Sequence, residues 1–476
     1  MATTQTPPTG EAVVGPRISH AVQLTSAQLA RGLFRLLFIL VVARELGPQQ
    51  LGVYALLLAV VEMVATVSGS GYADFLTRES ARDARIGWGL ASQLTLLRFA
   101  CAFLFTLIGI GMLAVLGYSR TILVATVWLS LSLVPRSIGE SVQGVLRGIG
   151  RYGLYLTVEL VFDLVLAAGA TYLIFARGGL REVIATEIFA PTAASAVSIS
   201  LALLLRPSGR IWIGARQLLE KSVIFNTYAF VSNLYDRFDI VLLSRLAGDY
   251  ATGVYSAAYR PLGTIQLVPY GVLYSLLPSL SRGTPIERER MEKAMGILLS
   301  ISFAIVLVTV VFAGPAIHLL FGVRYADSAV ALKILIWAVI LRYVNYAFNV
   351  RLLADGHERV FVVTSLICLG VNLVGNLIFI PLYSWRAAGA ITIATEAVLL
   401  AQNIFWLRRL VGTIPKPVGW MRSSFVFAVL AVVVFAGART AAPSLIGSAC
   451  VLVFLGYLYY AGIIKEFAAV WDDGRR

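Results

Sequence analysis

Apolar stretches recur along the whole chain, separated by short clusters of Arg, Gly and Pro. About 20 predominantly apolar residues suffice for a helix to cross a bilayer, and about fourteen stretches meet that length. The predicted spans in the first half are 18–43, 51–73, 88–116, 121–142, 152–176 and 182–205. Those in the second half are 222–243, 252–278, 294–320, 329–353, 360–382 and 386–407, followed by a closing pair at 423–438 and 443–464. The loops between them are too short for a soluble domain. The pattern therefore predicts an all-α polytopic membrane protein.

Composition agrees: 59% of the 476 residues are hydrophobic, 13% are charged, and mean hydropathy is +0.83. A soluble domain carries about 25% charged residues, so a water-soluble globule is excluded. The 39 Lys and Arg exceed the 25 Asp and Glu, giving +14. In a soluble protein that excess would suggest nucleic acid as a partner; here many of the basic residues lie in short loops, which makes them a topology signal and leaves no reason to expect nucleic acid. Clusters such as Arg78/Arg82/Arg85, Arg206/Arg210/Arg216/Lys221 and Arg408/Arg409/Lys416/Arg422 share a side with the N-terminus. The opposite loops hold scattered arginines such as Arg44, Arg120, Arg245 and Arg324. Both termini are therefore expected to be cytoplasmic, with 1–17 and 465–476 as tails. Cys101, Cys368 and Cys450 all lie in apolar runs without a CxxC pair, so neither a disulfide framework nor structural zinc is expected. A phosphate-binding G-x-x-x-x-G-K-[ST] loop is missing, which argues against direct ATP hydrolysis.

The chain repeats itself. A-R-E-L-G-P-Q-Q-L-G-V-Y at 43–54 aligns with S-R-L-A-G-D-Y-A-T-G-V-Y at 244–255, matching Arg44 with Arg245, Gly47 with Gly248, Gly52 with Gly253 and Tyr54 with Tyr255. The offset maps the first span onto the seventh and the second onto the eighth. Duplication of a six-helix unit explains it, although a locally favourable helix turn repeated by chance would read the same way. Six is even, so the halves share an orientation, and a parallel repeat places them about a pseudo-twofold along the membrane normal with a central cavity. The expected organisation is a lobe at 18–206, a cytoplasmic linker at 207–221, a second lobe at 222–410 and an additional helix pair within 411–464.

The fourteen-span plan, the G-x-x-x-x-G-V-Y turn after spans one and seven, and the run from Tyr255-Ser-Ala-Ala-Tyr-Arg260 through Leu276-Leu277-Pro278-Ser279-Leu280-Ser281 resemble Wzx-type polysaccharide flippases. These belong to the multidrug/oligosaccharidyl-lipid/polysaccharide exporter (MOP) superfamily, and features are also shared with lipid II flippases. The resemblance implies transfer of undecaprenyl-pyrophosphate-linked oligosaccharide repeat units across the bacterial cytoplasmic membrane. The glycan would serve O-antigen, exopolysaccharide or capsule. Membrane lipids, a polysaccharide polymerase and chain-length machinery are the partners that go with it.

Charged residues inside predicted spans mark candidate sites, because an ionisable group at the bilayer centre costs about 2.5–3.5 kcal/mol on insertion scales. Arg31 and Arg35 lie one turn apart on the first span, and Arg260 lies on the eighth. Guanidinium groups match phosphate oxygens through forked, charge-assisted hydrogen bonds, so these three are candidates to clamp a pyrophosphate from both halves, with Arg98 and Arg342 as further cavity candidates. By resemblance, Arg260 corresponds to a cavity arginine of lipid II flippases. Ion pairing of Arg31 and Arg35 with Glu62, Glu159 or Asp163 is the competing role. For a coupling ion, Asp236 and Asp239 on the seventh span, Asn372 and Asn376 on the eleventh and Thr392 on the twelfth offer oxygen ligands suited to a small hard cation. The Asn372–Asn376–Thr392 spacing resembles a sodium site of lipid II flippases, except that an amide replaces their acidic residue at Asn376. Interhelical hydrogen bonding accounts for the asparagines equally well. Sodium, protons and the membrane potential all remain possible drivers, and no cofactor is expected.

A membrane glycosyltransferase or polymerase would carry paired catalytic acids on a sizeable loop, yet the outward loop near 321–328 holds only Asp327. The chain is thus expected not to be an enzyme. The closer rival is a cation-coupled multidrug exporter of the same superfamily, which would favour an acidic cavity over a basic one.

Overall fold

The computed structural model describes residues 18–69, 72–205, 215–266, 268–269, 272–273, 280, 285–437, 443–463 and 465–466. Side chains are described from residue 32 onward, apart from 215–233, 235–236, 285–287 and 443. The expected tail at 1–17 and most of the expected linker lie outside these residues.

The described residues are almost wholly helical. α1 (Ile18–Val67) carries the first two predicted spans and bends at Gly47, where φ 73° and ψ 175° demand a residue without a side chain. α2 (Tyr72–Arg82) was not foreseen as a separate helix. It buries Tyr72, Leu76 and Ser80 on one face, and Gly144 and Gly148 opposite provide the close approach that seats it. α3 (Ala84–Val115) is followed by α4 (Arg120–Ser130) and α5 (Leu133–Gly148), which break the fourth predicted span in two. Pro135 has no N–H to offer the Leu131 carbonyl, and the chain tightens instead, with Val134 N–H donating to Leu131 at 3.3 Å. α6 (Tyr152–Ala176) and α7 (Leu180–Leu205) complete the first lobe.

The second lobe repeats this succession. α8 (Ala215–Ile265) bends at Gly248 with φ 85° and ψ 174°, nearly the geometry of Gly47. α9 (Pro285–Phe321) corresponds to α3. α10 (Ala326–Leu335) and α11 (Ala338–Ala354) split the tenth predicted span as α4 and α5 split the fourth. α12 (Arg359–Tyr383) and α13 (Trp385–Trp406) correspond to α6 and α7. α14 (Trp420–Gly437) and α15 (Pro443–Tyr460) form the additional pair and pack on α9. Among the described residues, nine helical stretches are long and apolar enough to cross a bilayer. Large apolar side chains such as Phe103, Phe175 and Leu203 stand exposed on their outer faces, as lipid contact requires.

The principal seam between lobes runs along α1 and α8, and the repeated motif builds it. A Cβ on Gly52 would collide with the Asp249 carbonyl, and one on Gly253 with the Pro48 carbonyl. Each lobe therefore presses its second motif glycine against the other lobe's bend, in a contact related by the same 201-residue offset as the sequence repeat.

Candidate substrate cavity and inter-lobe seam

At the bent end, the lobes are tied together by backbone carbonyls. Arg44 on α1 donates to Leu320 O at 2.9 Å and to Leu319 O, which are C-terminal carbonyls of α9. Arg324 returns a bond to Arg44 O, and Tyr325 donates to Ala43 O at 2.7 Å. On the related side, the Arg245 guanidinium lies over Gly117 at the end of α3, and Tyr118 donates to Val241 O at 3.2 Å. Asp249 accepts from Ser244 Oγ at 3.3 Å, and burial lifts its carboxyl above the ordinary carboxylate range. This end is a seal.

Further along the seam the lobes part around a cavity of about 400 Å³. Arg35 on α1 and Arg237 and Arg260 on α8 line it, together with Tyr259, Ser256, Thr264 and Gln266. Each arginine is 11 or 12 residues from a bend, about 17 Å at 1.5 Å per residue, so all three sit at one depth near the middle of a hydrocarbon core about 30 Å thick. Among the described residues that line it, there is no carboxylate. The cavity is therefore cationic at its waist.

Of the expected anion-binding residues, Arg35 and Arg260 meet here, while the side chain of Arg31 lies outside the described residues. Arg98 is placed elsewhere. It is buried between α3 and α5 in an ion pair with Glu140, which also accepts from Arg136 Nε at 2.8 Å; Arg136 in turn meets Glu62 at 2.9 Å. Two arginines and two carboxylates thus form a neutral chain inside the first lobe. Arg342 is likewise withdrawn. Its Nε donates to Glu396 at 2.6 Å and its Nη2 to Tyr259, a lining residue of the cavity, at 2.9 Å.

A smaller cavity of about 60 Å³ within the first lobe is lined by Arg35, Arg136, Glu140, Glu159 and Glu187. Arg35 belongs to the walls of both cavities. Beside it, the buried Tyr54 hydroxyl donates to Glu187 at 2.6 Å. Sequence reasoning did not pair Tyr54 with Glu187 and did not number Arg237 among the candidate clamp residues. The signal for Arg237 is its charge within a predicted span.

The expected coupling-ion residues are partly assembled. Tyr255 donates to Asp239 Oδ2 at 2.6 Å and lies 3.1 Å from Thr392 Oγ1, joining α8 to α13. Asn376 Nδ2 donates to Asn372 at 2.9 Å along α12, while Asn376 Oδ1 is buried without a hydrogen-bond partner among the described residues. Gly375 packs against Ile391, which sets that stretch of α12 beside Thr392. The side chain of Asp236 is outside the described residues. Buried oxygen atoms from three helices suit a monovalent cation or a proton.

Two homologous helical lobes, sealed at one end and parted around a polar cavity within the membrane, define a multi-pass transporter rather than an enzyme. Residues 20–284 match the polysaccharide biosynthesis protein family. The chain belongs to that family. It is 21% identical over 438 residues to the probable low-salt glycan biosynthesis flippase Agl15 of Haloferax volcanii, covering 88% of this chain and 90% of the relative. Its fold is that of the lipid II flippase MurJ in an inward closed conformation, with TM-score 0.72, 13% identity, and coverage of 92% of this chain and 99% of MurJ. A multidrug resistance MATE transporter in an inward-facing conformation also matches, at TM-score 0.64 and 14% identity over 83% of this chain and 98% of the transporter.

Proposed function

We propose that the chain carries undecaprenyl-pyrophosphate-linked oligosaccharide repeat units across the bacterial cytoplasmic membrane by alternating access, delivering them to a polysaccharide polymerase. One observation carries this reading: three arginines from both lobes line one cavity at mid-depth without a carboxylate among its described lining residues. A pyrophosphate is the part of such a lipid that is hardest to bring through hydrocarbon. Forked guanidinium contacts replace its hydration as it crosses, and Arg35 and Arg260 supply them from opposite sides of the seam, with Arg237 beside them. The sugars then occupy the cavity while the polyprenyl chain stays in lipid. With both termini cytoplasmic, the seal at Arg44 and Arg324 closes the outer face and the cavity is loaded from the cytoplasmic side. The Asp239–Tyr255–Thr392 cluster, with Asn372 and Asn376, binds the ion, sodium or a proton, whose gradient resets the lobes.

The test uses purified protein in liposomes with a fluorescent polyprenyl-pyrophosphate sugar, following loss of inner-leaflet label. Efflux of a cationic dye is measured in parallel. Wild type is expected to move the lipid, and Arg35→Gln with Arg260→Gln to stop it while remaining in the membrane. Dye movement without lipid movement would assign the chain to drug export instead.

A further inference from the structure

Away from the seam, α4 and α7 leave an apolar groove of about 1110 Å³ on the flank of the first lobe. Val124, Trp128, Leu131 and Phe189 line it, and each is exposed by more than two fifths of its surface. Arg120, Arg181 and Gln50 border the same groove. Gln50 follows the bend at Gly47, which fixes the mouth at the sealed end. Both helices begin there, so their positive dipole ends add to the two arginines. From Arg120 to Leu131 the groove descends eleven residues of helix, about 16 Å, or half the thickness of a hydrocarbon core. It is one leaflet deep. Glu182 shares the mouth and accepts the Gly179 N–H at 2.7 Å, so the side chains there carry two positive charges and one negative.

We propose that this groove holds one anionic glycerophospholipid of the leaflet at the sealed end, with its phosphodiester between Arg120 and Arg181 and its acyl chains along Val124, Trp128 and Leu131. The net single positive charge complements a phosphodiester with one negative charge and falls short of a diphosphate. The groove also shares no lining residue with the inter-lobe cavity, which separates its lipid from the cargo.

The full chain is purified in detergent, titrated with phosphatidylglycerol or phosphatidylethanolamine, and its bound lipid counted by native mass spectrometry. Wild type is expected to prefer phosphatidylglycerol by about tenfold, because the ammonium of phosphatidylethanolamine offsets the charge of its phosphodiester and is repelled by the net positive mouth. Arg120→Gln with Arg181→Gln should remove that preference. Ala185→Trp, which fills the groove and leaves both arginines, should remove the bound lipid. Equal retention of the two lipids by wild type, or undiminished phosphatidylglycerol on both variants, overturns the proposal. So does displacement of phosphatidylglycerol by farnesyl diphosphate through the same two arginines, which would make the groove part of the cargo's path.

Discussion

The two lobes use one backbone device and fill it with different chemistry. Tyr54 and Tyr255 occupy equivalent places seven residues beyond equivalent bends, and each reaches the last helix of its own lobe. In the first lobe the tyrosine meets a carboxylate there, Glu187. In the second it meets a hydroxyl, Thr392, and the carboxylate comes from Asp239 on the bent helix itself. The first lobe builds a chain of paired charges, Arg98–Glu140–Arg136–Glu62, whereas the second sets its buried Arg342–Glu396 pair beside the amides Asn345 and Asn403 and adds Asn372 and Asn376 on α12. Duplication therefore fixed the hinge and left the buried polar groups free to diverge. Under the alternating access proposed above, two lobes moving as rigid bodies would need the same bend twice, while cargo and coupling ion would need different ligands.

Removing a member of the first lobe's charge chain should produce the largest effect. Arg98 is 3% exposed at its side chain, so Glu140→Gln strands a buried guanidinium and also strips Arg136 of one partner. Breaking such a pair costs about 3–5 kcal/mol. The expected outcome is a large drop in thermal stability in detergent, partly restored by adding Arg98→Met, which removes the stranded charge. If Glu140→Gln unfolds no earlier than wild type, the chain is not buried as described and the contrast between lobes weakens.

The hinge comes next, and it tests the symmetry itself. Gly52→Ala and Gly253→Ala each push a methyl into the opposite lobe's bend, and overpacking of this kind costs about 1–3 kcal/mol. Because the contacts are related by the repeat, the two variants should lose similar stability and should both open the sealed end. Cysteines placed at Tyr118 and Val241 would report that opening as faster labelling by a membrane-impermeant thiol reagent. A large loss from one glycine and none from the other would show that only one side of the seam holds the seal.

Tyr54→Phe against Tyr255→Phe then sharpens the chemical difference. Each removes a buried hydroxyl bond worth about 1 kcal/mol, so stability changes should be small and alike. Their transport phenotypes should differ. Loss of the Tyr255 hydroxyl alters the Asp239–Thr392 cluster and should shift the dependence of lipid flipping on sodium or on pH. Tyr54→Phe should leave that dependence in place. Identical ion dependence in both variants would remove Asp239 and Thr392 from coupling.

The sequence reveals depth within the membrane far better than it reveals direction around a helix. Spans and the bends at Gly47 and Gly248 were legible because apolar length and glycine conformational freedom are local properties. Arg35 and Arg260 were legible because each is a charge inside a predicted span, one in each half. Arg98 and Arg342 have the same signature, a charge inside a span, yet one meets Glu140 and the other Glu396, and neither partner is close in sequence. Arg237 carries that signature too and does line the cavity; the sequence does not separate these outcomes, because one position along α8 changes the face by about 100 degrees. The break between α4 and α5 depended on a carbonyl that Pro135 cannot serve, which is visible in the sequence only once the span is known to need every bond.

The smallest effect is expected in the additional pair, which has no counterpart in either lobe. It is attached through Ser300 on α9, whose hydroxyl donates to Ser423 at 2.8 Å, with Ser423 in turn 3.2 Å from the Tyr457 hydroxyl, and through stacking of Phe303 on Phe427 at 4.8 Å. None of α14 or α15 contributes to the walls of either charged cavity. Ser423→Ala should therefore cost no more than about 1 kcal/mol and leave lipid flipping and its ion dependence at wild-type values. A Ser423→Ala protein that stays folded but stops flipping would mean that α9 moves with the pair during the cycle. The unit of motion would then be the second lobe together with its appendage, and the two lobes would differ in their moving parts as well as in their buried chemistry.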